Sequence, residues 1–437
     1  MRRARILLAL ALAADCVDGG AVPLEVFNHL EAGPDEQAAR VLQAALQARG
    51  HVWSDFAIAN GAAGLGTSLL ESRVRSGNAP AIAQMKGPVI AAMARRGVLL
   101  PLDDLARAEG WDNVLPKAVA DAMKHQGRYV GVPLNIHRLN WLWINQRILR
   151  QAKARVPATW DEFFVTAEAM KRAGYTALAY GGQAWEEQLL FESVALGVGG
   201  PVFYRQALIA QDPDQLGGTT MARVLHTFRR LRSYTSAAHP VPARQDAATA
   251  MASGAAGMLL MGDWANPNFY PAVQRQGDDF VCLPSPGSNG SFSFVVDSFA
   301  MFNNAGAGQR RGQLDFASTV MSPSVQHGFN LRKGSIPARV GLALQDFSPC
   351  ARQSAGAFQS AVRDGTLVPA LAMATPPELE QALRDVLSEF WNDDSVTPEA
   401  AMRRMMAVVR QHASSSSSPS SPSSPRSVAP RSRLAGH

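Results

Sequence analysis

Four positions in this chain join a recognising side chain to a place where regular backbone should stop. Asp297 is an acid inside the otherwise apolar run Phe292 to Phe302. An ionised carboxylate in such a setting needs hydrogen-bond partners, which are either structural donors or the hydroxyls of a ligand. Lys86 follows the strand-like Ala81 to Met85 and precedes a Gly87-Pro88 break. That is the carboxyl end of a strand, where open parallel sheets bind ligands; the alternative is a solvated lysine. Trp185 ends the loop Gly181-Gly182-Gln183-Ala184-Trp185 after the short strand Ala177 to Tyr180. Its indole either stacks on the C–H face of a sugar ring or caps a core. Gly262-Asp263-Trp264 stands at the carboxyl end of the apolar strand Met258 to Met261. Two charged groups and two indoles suit charge-assisted hydrogen bonding and stacking on a small polyhydroxylated molecule.

Bond-breaking chemistry has less support. A catalytic reading needs a nucleophile, a base and an orienter. There is no Gly-x-Ser-x-Gly, no His-Glu-x-x-His and no Cys-x-x-Cys, and the nine histidines show no paired spacing. A secreted glycosidase is the best enzymatic alternative, since sequence alone does not place two carboxylates across a glycosidic bond. The turn Asn60 to Gly66 has glycines like a phosphate loop, but Thr67 stands where the lysine is required. No Cys or His lies near Cys282 or Cys350 at ligand spacing, so no metal is expected, and nothing calls for a cofactor.

The elements that position these residues are organised around Gly127 to Asn145. Pro133 removes a backbone donor. Leu139 to Ile144 is then almost wholly apolar, with Trp141 and Trp143 on one face, as in a strand covered on both sides. Upstream, Leu24 to Phe27, the helical period Glu36 to Arg49, the strand Val52 to Ile58 and a helix ending at Arg75 open a doubly wound α/β sheet. Thr159-Trp160-Asp161-Glu162 is a capping box. Pro-rich Cys282 to Gly287 reads as a second crossing between lobes, and the helix Arg311 to Met321 as a third. Thr397 and Pro398 begin a last helix ending at His412.

The chain's length suggests two lobes, and an apolar fraction of 47% is that of a globular protein. The net charge of +6 is concentrated at the ends: residues 1–21 carry +1 and 414–437 carry +3, leaving +2 for the body. No basic stripe exists, so nucleic-acid binding is not expected. Met1 to Ala21 has a basic start, a short apolar run and small residues, as in a secretory signal peptide. Asp15 argues against lipidation at Cys16. Secretion permits a disulfide between Cys282 and Cys350; two buried thiols are the alternative. The Ser/Pro-rich segment 414–437 has no periodicity and is expected to be disordered.

Several motifs carry a resemblance. Gly-x-Tyr-x-Gly-x-Pro leading into Asn135-Ile136-His137-Arg138-Leu139-Asn140-Trp141-Leu142-Trp143-Ile144-Asn145 resembles the periplasmic solute-binding proteins of ABC sugar importers, and more narrowly their glucose-binding branch. Gln84-Met85-Lys86-Gly87-Pro88, Thr159-Trp160-Asp161-Glu162-Phe163, Gly262-Asp263-Trp264, Val296-Asp297-Ser298-Phe299 and Lys333-Gly334-Ser335 add to it. The resemblance covers about Leu24 to Gln411. It implies a two-lobed α/β fold of type II, each lobe a mostly parallel sheet flanked by helices. The boundaries it suggests are 22–133 with 285–322 for the amino-terminal lobe and 134–284 with 323–413 for the other. It further implies a monomeric, non-enzymatic periplasmic receptor that holds a monosaccharide or polyol between its lobes and delivers it to an inner-membrane permease. Asp35, Lys86, His137, Trp185, Trp264, Asp297 and Lys333 would be the ligand-binding residues.

Departures fall in the same site. The family loop His-Trp-Trp-Thr-Ser-Gly-Gly-Glu is here Asn28-His29-Leu30-Glu31-Ala32-Gly33-Pro34-Asp35. A family tryptophan corresponds to Gln245 and a family histidine to Leu371. Weak glucose binding is therefore expected. The second functional class, suggested by the lost aromatics and the Ser/Pro tail, is an interaction or sensor module that no longer imports sugar.

Overall fold

Alternating apolar residues make β1 (Pro23–Asn28), followed by α1 (Gly33–Gln47), β2 (Val52–Ala57), α2 (Leu65–Arg75), β3 (Ile82–Met85) and α3 (Gly87–Arg95). Asp35 and Glu36 in the first turn of α1 complement its dipole. Its buried Ala38, Ala39, Leu42 and Leu46 form the inward stripe. β1 runs parallel to both neighbours, with Val26 opposite Asp55 and Ile82. The strand Ser298–Met301 joins β3 antiparallel, Ser298 opposite Met85, and Val132–Pro133 pairs with its far side, Pro133 opposite Ser298. The carboxyl ends of β1, β3 and Val132–Pro133 thus share one edge of the sheet with the start of Ser298–Met301.

This computed structural model describes residues 23–30, 33–57, 65–235, 247–273, 279–304 and 306–417. The amino-terminal basic and apolar segment with Cys16, Glu31, residues 60–64 of the glycine turn, Gln245 and the sequence beyond residue 417 lie outside them. The chain divides into two units: Met1–His137 with Val296–Arg352, and Arg138–Val295 with Gln353–His437.

The division differs from the sequence-based boundaries in three places, the shortest being residues 134–137, which belong to the first unit. Residues 323–352 belong to the first unit. Helix Pro323–Lys333, capped by Ser322, packs on α1. From it Gln326 Nε2 donates to the Pro133 carbonyl at 2.9 Å and Asn330 Nδ2 to that of Leu134 at 3.1 Å. These buried amides satisfy carbonyls at a strand end. Residues 285–295 belong to the second unit, where Phe292–Val295 pairs parallel with Leu367–Pro369. Cys282 to Gly287 is therefore no crossing. Phe280–Pro284 is an ordinary sheet neighbour of Trp141–Asn145, Cys282 opposite Trp143. Helix Ala307–Met321 likewise stays within the first unit.

In the second unit, Trp141–Asn145 lies between Phe280–Pro284 and Ala256–Leu260, antiparallel to both, and Thr176–Leu178 pairs parallel with the latter. All five residues of Trp141–Asn145 are buried, as its apolar run required. Trp141 and Trp143 share a face with ring centres 5.9 Å apart, and Trp143 Nε1 donates to the Met261 carbonyl at 2.8 Å. The capping box is present: Glu162 N–H donates to Thr159 Oγ1 at 3.3 Å, and Thr159 N–H to Glu162 Oε2 at 3.2 Å. The last helix runs Pro398–Ser417. Ser414 to Ser417 are thus helical rather than disordered; Ser414 and Ser415 hydroxyls donate to the Arg410 and His412 carbonyls, so serines here extend the helix end instead of breaking it. No described helix is long and apolar enough to cross a membrane.

Candidate functional site

In the first unit the shared sheet edge gathers five of the seven expected site residues. Asp297, the second residue of this unit's returning segment, is 6% exposed. Its Oδ2 accepts from Asn135 Nδ2 at 3.0 Å and lies 3.0 Å from His137 Nε2. Asn135 Nδ2 and His137 Nε2 are also 3.0 Å apart. An amide nitrogen has only donors to offer, so the arrangement is satisfied when both nitrogens donate to the carboxylate. Asn135 closes the loop by accepting the Asp297 N–H on Oδ1 at 2.9 Å. Asp297 Oδ1 takes no hydrogen bond among the described residues.

Burial pushes the Asp297 carboxyl up. The His137 hydrogen bond and charge, then Lys86, then Lys333, outweigh that and hold it well below the usual carboxylate range. Lys86 is placed by the junction of β3 with α3, where it is the residue before the first helical turn. Pro88 within that turn ends the strand and starts the helix. The ammonium makes no hydrogen bond or ion pair among the described residues and is half-buried. Lys333, by contrast, is 8% exposed and donates to Asp35 Oδ1 at 2.6 Å. Gly334 follows it at φ +83°, the left-handed turn that ends the helix. Asp35 in turn sits in the first turn of α1.

The neighbouring strand end is tied by amides. Asn28 Nδ2 donates to Asp55 Oδ1 at 2.7 Å, and the His29 N–H to Gln84 Oε1 at 3.0 Å. His29 packs its ring edge-on to Phe27, and Leu30 is in the core at 3% exposure.

In the second unit Trp185 and Trp264 follow the carboxyl ends of two adjacent parallel strands, Thr176–Leu178 and Ala256–Leu260. Trp264 lies in the 3-10 turn Asp263–Ala265, its ring folded back so that a Cβ on Gly262 would stand 2.2 Å from it. Only glycine fits beneath that ring. Trp185 is half-buried, its Nε1 donating to Gln183 Oε1 at 2.8 Å. Beside it Glu186 and Glu187 are buried. The Glu186 carboxylate reaches Gly181 so closely that a Cβ there would be 2.7 Å away. Glu187 Oε1 accepts from Tyr180 Oη at 2.5 Å and Asn392 Nδ2 at 3.0 Å. Burial first, and then that bond, push the Tyr180 phenol far up. Leu371 is buried, and its N–H donates to Glu192 Oε2 at 3.1 Å.

Asn135 was not singled out from sequence, although Asn135 and His137 are two apart on a strand and so share a face. Glu187 gave no such signal, because an acid early in a helix normally reads as dipole complement. Cys282 lies on the strand Phe280–Pro284 and Cys350 in the first turn of the helix Pro349–Arg363. Among the described residues no group of His, Cys, Asp and Glu could hold a metal ion.

A family model described as Bacterial extracellular solute-binding protein matches residues 67–352. A probable sugar-binding periplasmic protein of Rhizobium meliloti (strain 1021) is 36% identical over 402 residues, covering 92% of this chain and 96% of that one. One of the same description from Brucella suis biovar 1 (strain 1330) is 34% identical over 92% of this chain and 98% of its own. Among solved structures, a chitin oligosaccharide binding protein matches with a TM-score of 0.76 at 17% identity, covering 90% of this chain and 98% of that one. The bacterial solute receptor AcbH, described as having an exclusive substrate preference for b-D-galactopyranose, matches with a TM-score of 0.75 at 17% identity, covering 90% and 100%. At that identity the likeness is one of fold: the two-lobed α/β fold of periplasmic binding proteins.

Proposed function

Because this chain belongs to the bacterial extracellular solute-binding protein family, we propose that it is the periplasmic substrate-binding component of an ABC importer for carbohydrates. It holds a monosaccharide or related polyol and delivers it to an inner-membrane permease, as a monomer and with no chemical step. Sugar-binding relatives aligned over nine-tenths of the chain support the class of ligand. One observation carries the reading to atoms. Asp297 is saturated on Oδ2 by Asn135 and His137 while Oδ1 stays unbonded among the described residues, with the unpaired Lys86 close enough to act on its charge. An ionised acceptor, with an ammonium that acts on its charge and is unpaired among the described residues, suits vicinal hydroxyls. Lys333 and Asp35 extend this polar side within the first unit; in the second unit, taken by itself, Trp185 and Trp264 are indoles of the kind that stacks on sugar rings.

Glucose is a poor ligand on this reading. Each lost aromatic wall is worth about 1–3 kcal/mol by analogy with other stacking platforms, and tenfold in affinity is about 1.4 kcal/mol. Leu30 packs into the core instead of supplying a wall, while His29 offers a smaller ring.

Calorimetry of the purified mature protein against sugars, polyols and sugar acids tests both statements. Heat with at least one of them is expected, and glucose should bind at least a hundredfold more weakly than the best. Lys86→Ala should weaken the best ligand about tenfold or more and lower the thermal midpoint only slightly, since it removes a charge that acts on Asp297 but no hydrogen bond among the described residues. No heat with any compound would reject the receptor reading, and submicromolar glucose affinity would reject the altered-site reading alone.

A further inference from the structure

Arg138, the first residue of the second unit, is 1% exposed. Its Nε donates to Asn140 Oδ1 at 3.2 Å and its Nη2 to the Ser291 carbonyl at 3.2 Å, while Nη1 has no acceptor among the described residues. The guanidinium carbon lies 4.2 Å from the ring centre of Trp141 and 5.1 Å from that of Phe292. Trp141 is fully buried, and its Nε1 also lacks an acceptor among the described residues. The guanidinium rests on that indole, so the two orphan donors are carried by stacked groups. Leaving either unmet carries its full desolvation penalty.

The two acceptors that hold the guanidinium are already used. Asn140 Oδ1 accepts the Ser293 N–H at 3.0 Å as well as Arg138 Nε. The Ser291 carbonyl accepts Asn140 Nδ2 at 3.1 Å as well as Arg138 Nη2. Two lone pairs each are thereby occupied. Both acceptors are neutral, so neither balances the guanidinium charge. Asp263 takes the Arg138 backbone N–H at 2.9 Å instead. Burial brings the guanidinium down to about 10 while Asp263 pulls it up. A water would satisfy both donors but would bring two protons of its own into a place with no free lone pairs on these acceptors. An anion accepts from both, adds no donor and offsets the charge.

We propose that Arg138 Nη1 and Trp141 Nε1 bind a small monovalent anion of the halide class, buried in the second unit and independent of the sugar site. Crystals grown in sodium bromide test this directly. One anomalous bromide peak within hydrogen-bonding reach of both nitrogens is expected; ordinary water density or no density there would overturn the proposal. In solution, the thermal midpoint should rise by about 3 °C from bromide-free buffer to a hundredfold excess over the dissociation constant, ionic strength being held with gluconate. Trp141→Phe, which deletes one donor, should at least halve that rise. A midpoint in the parent protein that responds equally to bromide and gluconate would also overturn it. If Trp141→Phe fails to fold, the bromide map of the parent decides.

Discussion

Asp297 carries the residue-scale logic of the first unit. Its charge is stabilised by a histidine, an asparagine and two lysines, and its carboxyl is held below the usual range despite burial. The folded value being lower than the unfolded one, its contribution to stability is complete above the ordinary aspartate value of about 4 and is lost as pH falls through the depressed folded value. Stability and sugar affinity should therefore show no loss from this group between pH 8 and 5. Asp297→Asn should remove the binding and lower stability by about 3 kcal/mol or more, since charged partners are left buried. Denaturant titration at several pH values checks both; a midpoint that drops between pH 6 and 5 in the parent but not in the variant would count against this account. Asp297 was visible in sequence because a lone acid in an apolar run needs an explanation. The Lys333–Asp35 pair was not, because nothing in the sequence says that the end of one helix meets the start of another so far away along the chain.

At the scale of elements, the strand ends decide where recognition groups stand. Trp264 keeps its orientation by folding over Gly262 in a turn that the register of Ala256–Leu260 presents. Gly262→Ala would push the ring out. A loss of about 1–3 kcal/mol in stability is expected from such overpacking, with a shifted tryptophan emission and weaker sugar binding. Unchanged emission would show that the ring relaxes at no consequence. Local elements were legible because their signals are local: the Thr159–Glu162 box, the stripe of α1, and the Pro133 break before a run of buried strand. Phe280–Pro284 was not legible as the edge strand beside Trp141–Asn145, since two prolines in Cys282 to Gly287 resemble a connector. In the structure Pro284 ends the strand, opposite Trp141, where a missing donor is tolerated.

The whole molecule was legible as two units, but their boundaries were not. Gln326 and Asn330, whose amides bind helix Pro323–Lys333 to the first unit, are unremarkable residues in a helical sequence. The disulfide state likewise belongs to this scale. We propose that Cys282 and Cys350 bond to each other, closing a long loop that the chain-entropy model values at about 3–5 kcal/mol. The unfolded, unreduced mature protein should show no titratable thiol, and reduction should lower its midpoint; two thiols would reject the bond.

The first unit's sheet has its missing strand in the middle. Ser298–Met301 sits between β3 and Val132–Pro133, yet it is synthesised long after both. At typical translation speeds the intervening stretch takes on the order of 10–30 s to emerge. Throughout that time the nascent amino-terminal half has an open gap where β3 and Val132–Pro133 should be bridged. A chain so interrupted is expected to close this sheet only after Ser298–Met301 has been made. A fragment ending before residue 296 should accordingly be digested by protease across residues 23–137, whereas the full chain resists; a protected fragment would show that the half-sheet closes without its middle strand.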